Sequence, residues 1–136
     1  ISIAYNGDKP GGRGPRMARI LILDKSVGDR VQIMNALKPH GHGIIEIDDG
    51  KEALNAVEEH PPDLIVMDLV LVSLDGFKVL RTLRERGHKM PIIVQSTMAT
   101  EGMEKQAKEV GASAFLRKPV NENRLLETVT ELLASK

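Results

Sequence analysis

The sequence predicts a doubly wound α/β domain: a five-stranded parallel sheet covered on both faces by five helices. Three observations carry this reading. From Arg19 onward the chain alternates short apolar runs with segments of helical period, five times over. The runs Ile20-Leu21-Ile22-Leu23 and Leu64-Ile65-Val66-Met67 are apolar throughout, as strands buried on both faces are. The connections are short, and parallel neighbours need crossover helices of one hand.

Residues 1–16 hold four glycines and two prolines with no apolar periodicity. That is the composition of a flexible leader, native or vector-derived, and Met17 reads as the start of a single domain over 17–136. The first strand, Ile20 to Leu23, ends in Asp24-Lys25. Val27, Val31, Met34 and Leu37 then recur at helical spacing up to Pro39 and the Gly41-His42-Gly43 loop. A second strand, Ile44 to Ile47, leads through Asp48-Asp49-Gly50 into a helix from about Lys51 to Glu59 with Ala53, Ala56 and Val57 inward.

The third strand, Leu64 to Asp68, lies between Pro61-Pro62-Asp63 and Ser73-Leu74-Asp75-Gly76, and it ends abruptly in a carboxylate. Its helix turns Val79, Leu80 and Leu83 to the sheet and an Arg-rich face outward, and Gly87 stops it. Pro91 to Gln95 forms the fourth strand, with Ser96-Thr97 at its end. The next helix, about Glu101 to Glu109, has only Met103, Ala107 and Val110 for the interior and should be the most weakly held. Ala114 to Leu116 is a short fifth strand ending in Arg117-Lys118-Pro119. Leu125, Leu126, Val129, Leu132 and Leu133 mark a last amphipathic helix begun near Asn121.

Composition excludes several function classes. Lys plus Arg and Asp plus Glu number 19 each, giving a net charge of +0, and aromatics make up 2%. That balance argues against the domain itself holding nucleic acid, and so few aromatics leave little material for a base-stacking platform. No apolar run has the length of a membrane span, no signal peptide is visible, and cysteine is absent. A cytoplasmic protein without thiol chemistry is expected.

Four polar residues fall at the ends of four strands: Asp24, Asp68, Ser96 and Lys118. In an open α/β sheet these ends converge on the edge where ligands bind. Two carboxylates, a hydroxyl and an ammonium suit a divalent cation and a phosphoryl group together. Singly, each has a blander reading as a loop acceptor, a turn former or a solvated lysine.

In order and spacing, Arg19 to Asp24, Pro62 to Asp68, Leu74-Asp75-Gly76, Pro91 to Val94, Gly111-Ala112 and Lys118-Pro119 resemble the receiver domain of bacterial two-component response regulators. The resemblance covers about Ala18 to Ala134 and implies a flavodoxin-like strand order 2-1-3-4-5. It implies that Asp68 is the phosphoacceptor of a phosphorelay, charged by a sensor histidine kinase or phosphotransfer protein. Ser96 and Lys118 would bind phosphoryl oxygens. Asp24, Asp68 and the Val70 carbonyl would hold Mg2+, and Phe115 would be a switch aromatic. The output surface would be the fourth helix, fifth strand and fifth helix, in a monomer or weak homodimer. The domain would be no enzyme beyond self-catalysed phosphotransfer.

Three positions depart from that family. Where a second metal-binding acid is usual stands Lys25. An ammonium about 4 Å from Asp68 would gain roughly 4 kcal/mol at an effective dielectric near 20, before desolvation. It would displace the cation and leave a phosphorylation-independent interaction module. Alternatively Lys25 turns to solvent and the metal site survives, weakened. Val72 replaces a common proline, and Thr97 replaces a small residue, either crowding the phosphoryl donor or projecting outward.

His40-Gly41-His42 reads as a solvated turn, for want of a third metal ligand nearby. Asp48-Asp49-Gly50 reads as a helix start, not a calcium loop. An aspartyl-nucleophile phosphatase would carry an acid where Val70 stands, and Asp24-Lys25-Ser26-Val27-Gly28 is a poor nucleotide loop.

Overall fold

The computed structural model describes residues 2–4 and 17–135. Its elements in chain order are β1 (Ser2–Ala4), β2 (Arg19–Leu23), α1 (Val27–Leu37), a 3-10 turn (Lys38–His40), β3 (Gly43–Ile47), α2 (Gly50–Glu59), β4 (Leu64–Asp68), α3 (Gly76–Glu85), β5 (Ile92–Ser96), α4 (Glu101–Val110), β6 (Ala114–Arg117) and α5 (Glu122–Ala134). The sheet runs β1-β3-β2-β4-β5-β6. Its five parallel strands, β3-β2-β4-β5-β6, have the expected order 2-1-3-4-5. The expected leader over 1–16 needs correction at one point: Ser2–Ala4 adds an antiparallel edge strand to β3. Residues 1 and 5–16 of that leader lie outside the described residues.

Side chains alternate across a strand, so parity assigns the faces. Leu21, Leu23, Ile65, Met67, Ile92 and Val94 pack with α2 and α3. Ile20, Ile22, Leu64, Val66, Ile93 and Leu116 pack with α1 and α5. Each α-helix begins on a polar cap: Ser26, Asp49, Asp75, Thr100 and Asn121 each accept a backbone N–H from the first turn. Asp49 is thus the helix start expected of Asp48-Asp49-Gly50.

Helix faces follow the sequence pattern in α3, where Val79, Leu80 and Leu83 are buried, and in α5, where Leu125, Val129 and Leu133 are. On α4 only Ala107 is buried, with Met103 and Val110 partly so. Helix α1 departs from it. Val27 and Val31 are exposed, and the buried face is Ile33, Ala36 and Leu37. Apolar residues lie on two stripes of α1, and the one that meets the sheet is set by how the helix leaves β2. Arg84, expected among the outward arginines of α3, instead turns in and donates to the carbonyls of Gly111, His88 and Met90.

His42 also needs correction. It is 6% exposed, and its Nδ1 accepts the Ala18 N–H at 3.1 Å. Gly41, at φ 89°, turns the chain so that the next side chain points inward. Burial, with a smaller contribution from His40, holds the His42 pKa below the ordinary histidine value.

Candidate functional site

The parity that divides the apolar core continues to the carboxyl rim. Two residues beyond Ile22, Val66, Ile93 and Leu116 stand Asp24, Asp68, Gln95 and Lys118, all on the face covered by α1 and α5. The first turn of α1 crosses this rim and brings Asp29 with it.

Lys118 is the centre of the resulting cluster. Its Nζ donates to Asp24 Oδ2 at 2.8 Å, Asp29 Oδ2 at 2.7 Å and Asp68 Oδ2 at 2.7 Å. The side chains of Lys118, Asp24 and Asp68 are 8%, 1% and 12% exposed, so those two pairs are buried, whereas Asp29, at 38%, is open to solvent on one side. At an effective dielectric near 20 each of the two buried attractions is about 6 kcal/mol, and that of the more exposed Asp29 is weaker, against at least about 3.5 kcal/mol for each repulsion between carboxylate oxygens no more than 4.8 Å apart. Attraction holds the group together. Burial works against the Lys118 charge, but the hydrogen bonds it donates to Asp24, Asp29 and Asp68 outweigh it and raise the pKa above the ordinary lysine range.

The second carboxylate oxygens of Asp24 and Asp68 are tied to backbone. Asp24 Oδ1 accepts the Ser26 N–H at 2.9 Å. Asp68 Oδ1 accepts the N–H groups of Leu69 at 2.6 Å and Val70 at 3.2 Å. Gly76 sets the loop beyond Asp68: a Cβ there would stand 2.5 Å from Leu69 Cα and 2.7 Å from the Asp68 carbonyl oxygen. Only glycine lets α3 begin so close to the acid, and the Gly76 N–H donates to the Leu69 carbonyl at 2.8 Å.

The structure brings Asp24, Asp68 and Lys118 together as expected. Ser96 has the opposite parity. It is buried, accepts the Met98 N–H on its hydroxyl at 3.0 Å, and receives the Lys118 backbone N–H on its carbonyl at 2.9 Å. Phe115 is half-buried against the core on the α2 and α3 side. Lys25 and Thr97 are exposed, and none of the ion pairs of Asp24, Asp29 or Asp68 involves Lys25. The ammonium among the acids is that of Lys118.

Sequence reasoning missed Asp29 and Gln95. An Asp in the first turn of a helix reads as a dipole partner, and a Gln at a strand end reads as surface. Asp24, Asp29 and Asp68 each offer a carboxylate oxygen within 4.8 Å of the others. Such an all-oxygen donor set fits a hard divalent cation such as Mg2+.

The response regulator receiver domain pattern matches residues 20–130. The chain belongs to that family. This receiver is 33% identical to the protein PilH of Pseudomonas aeruginosa over 120 residues, covering 87% of this chain and 99% of that one. It is 32% identical to the chemotaxis protein CheY of Bacillus subtilis, covering 85% and 97%. The solved chemotaxis response regulator CheY4 of Vibrio cholerae superposes on the receiver with a TM-score of 0.80 at 28% identity, covering 86% of this chain and 99% of that one. Among the described residues no helix is long and apolar enough to cross a membrane.

Proposed function

We propose that this receiver is a phosphorylation-driven switch with Asp68 as the phosphoacceptor. The observation that carries the reading is the single ammonium, Lys118, held 2.7 Å from Asp68 Oδ2 within a cluster that can also hold a hard cation. The donor is a phosphohistidine on a sensor kinase or phosphotransfer protein. An Asp68 oxygen attacks phosphorus, the P–N bond breaks, and the imidazole leaves with a proton. Lys118 is placed to follow the charge from the carboxylate to the new phosphoryl oxygens, and the Ser96 hydroxyl would offer a second donor. Asp24, Asp68 and the Val70 carbonyl would hold Mg2+, which supplies neutralisation of the charge on the phosphoryl oxygens.

Transfer of Lys118 from carboxylate to phosphoryl oxygen biases the element that carries it. Lys118 follows β6, and β6 lies beside α4, which has Ala107 as its only buried residue. A helix held by so little apolar area shifts at low cost. Phe115, half-buried on β6, would take up the space, and the surface of α4, β6 and α5 would change its affinity for a downstream partner or output domain. Zero net charge supports a protein partner over nucleic acid.

Acetyl phosphate with Mg2+, read by intact mass, tests the reading. One added phosphate on the unaltered chain and none on Asp68→Asn is the expected result. No addition to the unaltered chain, together with addition to Lys25→Asp, would favour the phosphorylation-independent interaction module.

A further inference from the structure

Asp29 stands where no packing requirement put it. It is the third residue of α1, after the cap Ser26, whose Oγ accepts the Asp29 N–H at 3.2 Å. An acid three residues after a serine cap ordinarily reaches back to the N–H of the cap and closes a reciprocal pair. Here Asp24 Oδ1 has already taken the Ser26 N–H, at 2.9 Å. The Asp29 carboxylate is released from capping and turns across the rim to Lys118, at 2.7 Å. The nearby arginine does not claim it: Arg30 Nε pairs with Glu46 at 3.1 Å, and Arg30 Nη1 donates to the Asp24 carbonyl at 2.6 Å.

A second observation is independent of the acids. Gln95 is 2% exposed, and its Nε2 has no hydrogen-bond partner among the described residues. It lines one cleft together with Asp29 and Lys118. A buried amide N–H2 calls for an acceptor, and a buried donor left unmatched is costly. The donor marks a ligand that brings oxygen beside Asp29. A Mg2+ ion does this, because it dehydrates reluctantly and keeps several of its waters.

We propose that Asp29 is a metal-ligating residue, one helical turn beyond the position where Lys25 has replaced the usual acid, so that Asp24, Asp29 and Asp68 together hold one divalent cation. Three carboxylates against one ammonium leave the cluster with a formal charge of −2 (3 × −1 plus +1), which a divalent cation cancels. The exposed Lys25 leaves the acids to this role. The proposal deepens the phosphoacceptor reading and rests on it for its purpose, while its test reads metal binding alone.

Mn2+ is the probe, with free ion followed by electron paramagnetic resonance, and Mg2+ is titrated by calorimetry. Outer-shell partners of metal sites cost about 10- to 100-fold in affinity, so loss of a direct ligand in Asp29→Asn is expected to weaken binding by at least about tenfold. Adding Lys25→Asp to that variant should restore binding, since it returns an acid to the rim. Thermal unfolding checks the fold, and Asp29→Ser, which suits a helix start, stands in should the asparagine variant unfold. Binding by Asp29→Asn or Asp29→Ser as tight as by the unaltered chain overturns the proposal, as does an unaltered chain that binds neither ion. Acetyl phosphate labelling separates the two readings: labelled Asp68 with unchanged ion affinity in the Asp29 variants sinks this one alone. Weakened ion binding in those variants with an Asp68 that never labels sinks only the phosphoacceptor.

Discussion

The two rims of the sheet both engage polar side chains, and they use them in opposite ways. At the amino rim the residue before a strand accepts a backbone N–H from the start of its neighbour. His42 takes that of Ala18, Asp63 that of Arg19 at 2.8 Å, and Ser113 that of Ile92 at 3.0 Å. These side chains complete the sheet. At the carboxyl rim Asp24, Asp29 and Asp68 converge from two strand ends and a helix on the ammonium of Lys118. Side chain answers side chain, and negative charge is left over. Satisfied backbone at one end and surplus charge at the other separate the part of the fold that holds it together from the part that can act.

The sharpest way to break this contrast is to remove the ammonium. Lys118→Met keeps the length and apolar stem of the side chain and leaves three carboxylates facing one another. Breaking a buried pair by deleting one partner costs about 3–5 kcal/mol, because the charge left behind is uncompensated. Urea denaturation in a chelator is expected to show a loss of that size. Ser113→Ala at the amino rim removes one neutral acceptor and should cost about 1–2 kcal/mol. Equal losses at the two rims would erase the distinction.

The amino rim has its own pH signature. The folded pKa of His42 lies below the ordinary value of 6.5, chiefly because burial disfavours the imidazolium. Between those two pKa values the unfolded chain binds more protons than the folded one, so stability rises with pH there. The contribution is complete above the unfolded value and is lost as pH falls through the folded one. Lys118 adds no slope in this window, since its raised pKa keeps it charged on both sides. Denaturation midpoints measured from about pH 7.5 down to about pH 5.5 should fall, and His42→Gln should flatten that fall. An identical slope in the variant would assign the titration to another group.

How much of this was legible in the sequence follows from which residues have a period. The strands and the faces of α3 and α5 were readable because each buries one continuous apolar stripe. Helix α1 misled, since Val27 and Val31 repeat as regularly as Ile33 and Leu37, and only the exit from β2 decides which pair meets the core. His42 was hidden because two imidazoles beside glycines look solvated until Gly41 is seen to reverse the chain. At the site, Asp24, Asp68 and Lys118 announced themselves as charges ending apolar runs. Asp29 did not, because an acid in a first helical turn has an ordinary explanation. Its one available signal was its place five residues after Asp24, in the first turn that must pass over the rim. Ser2–Ala4 carried no signal at all, three residues being too few for any periodicity.

Lys25 gives the smallest expected effect and the finest test of where the charge at the carboxyl rim resides. Its place beside Asp24 allowed an ammonium in the pocket, and a buried pairing there would tie stability to it. The structure leaves its side chain exposed, with the three acids engaged by Lys118. The backbone beside it is held without its help, since Asp24 Oδ1 fixes the Ser26 N–H and Ser26 caps α1. Lys25→Ala is therefore an exposed substitution, and such changes stay within about 0.5 kcal/mol. A loss beyond about 1 kcal/mol, measured as a shift in urea midpoint at low salt, would put a second ammonium among the carboxylates. That would reduce the surplus charge from −2 to −1 and with it the attraction of the rim for a divalent cation.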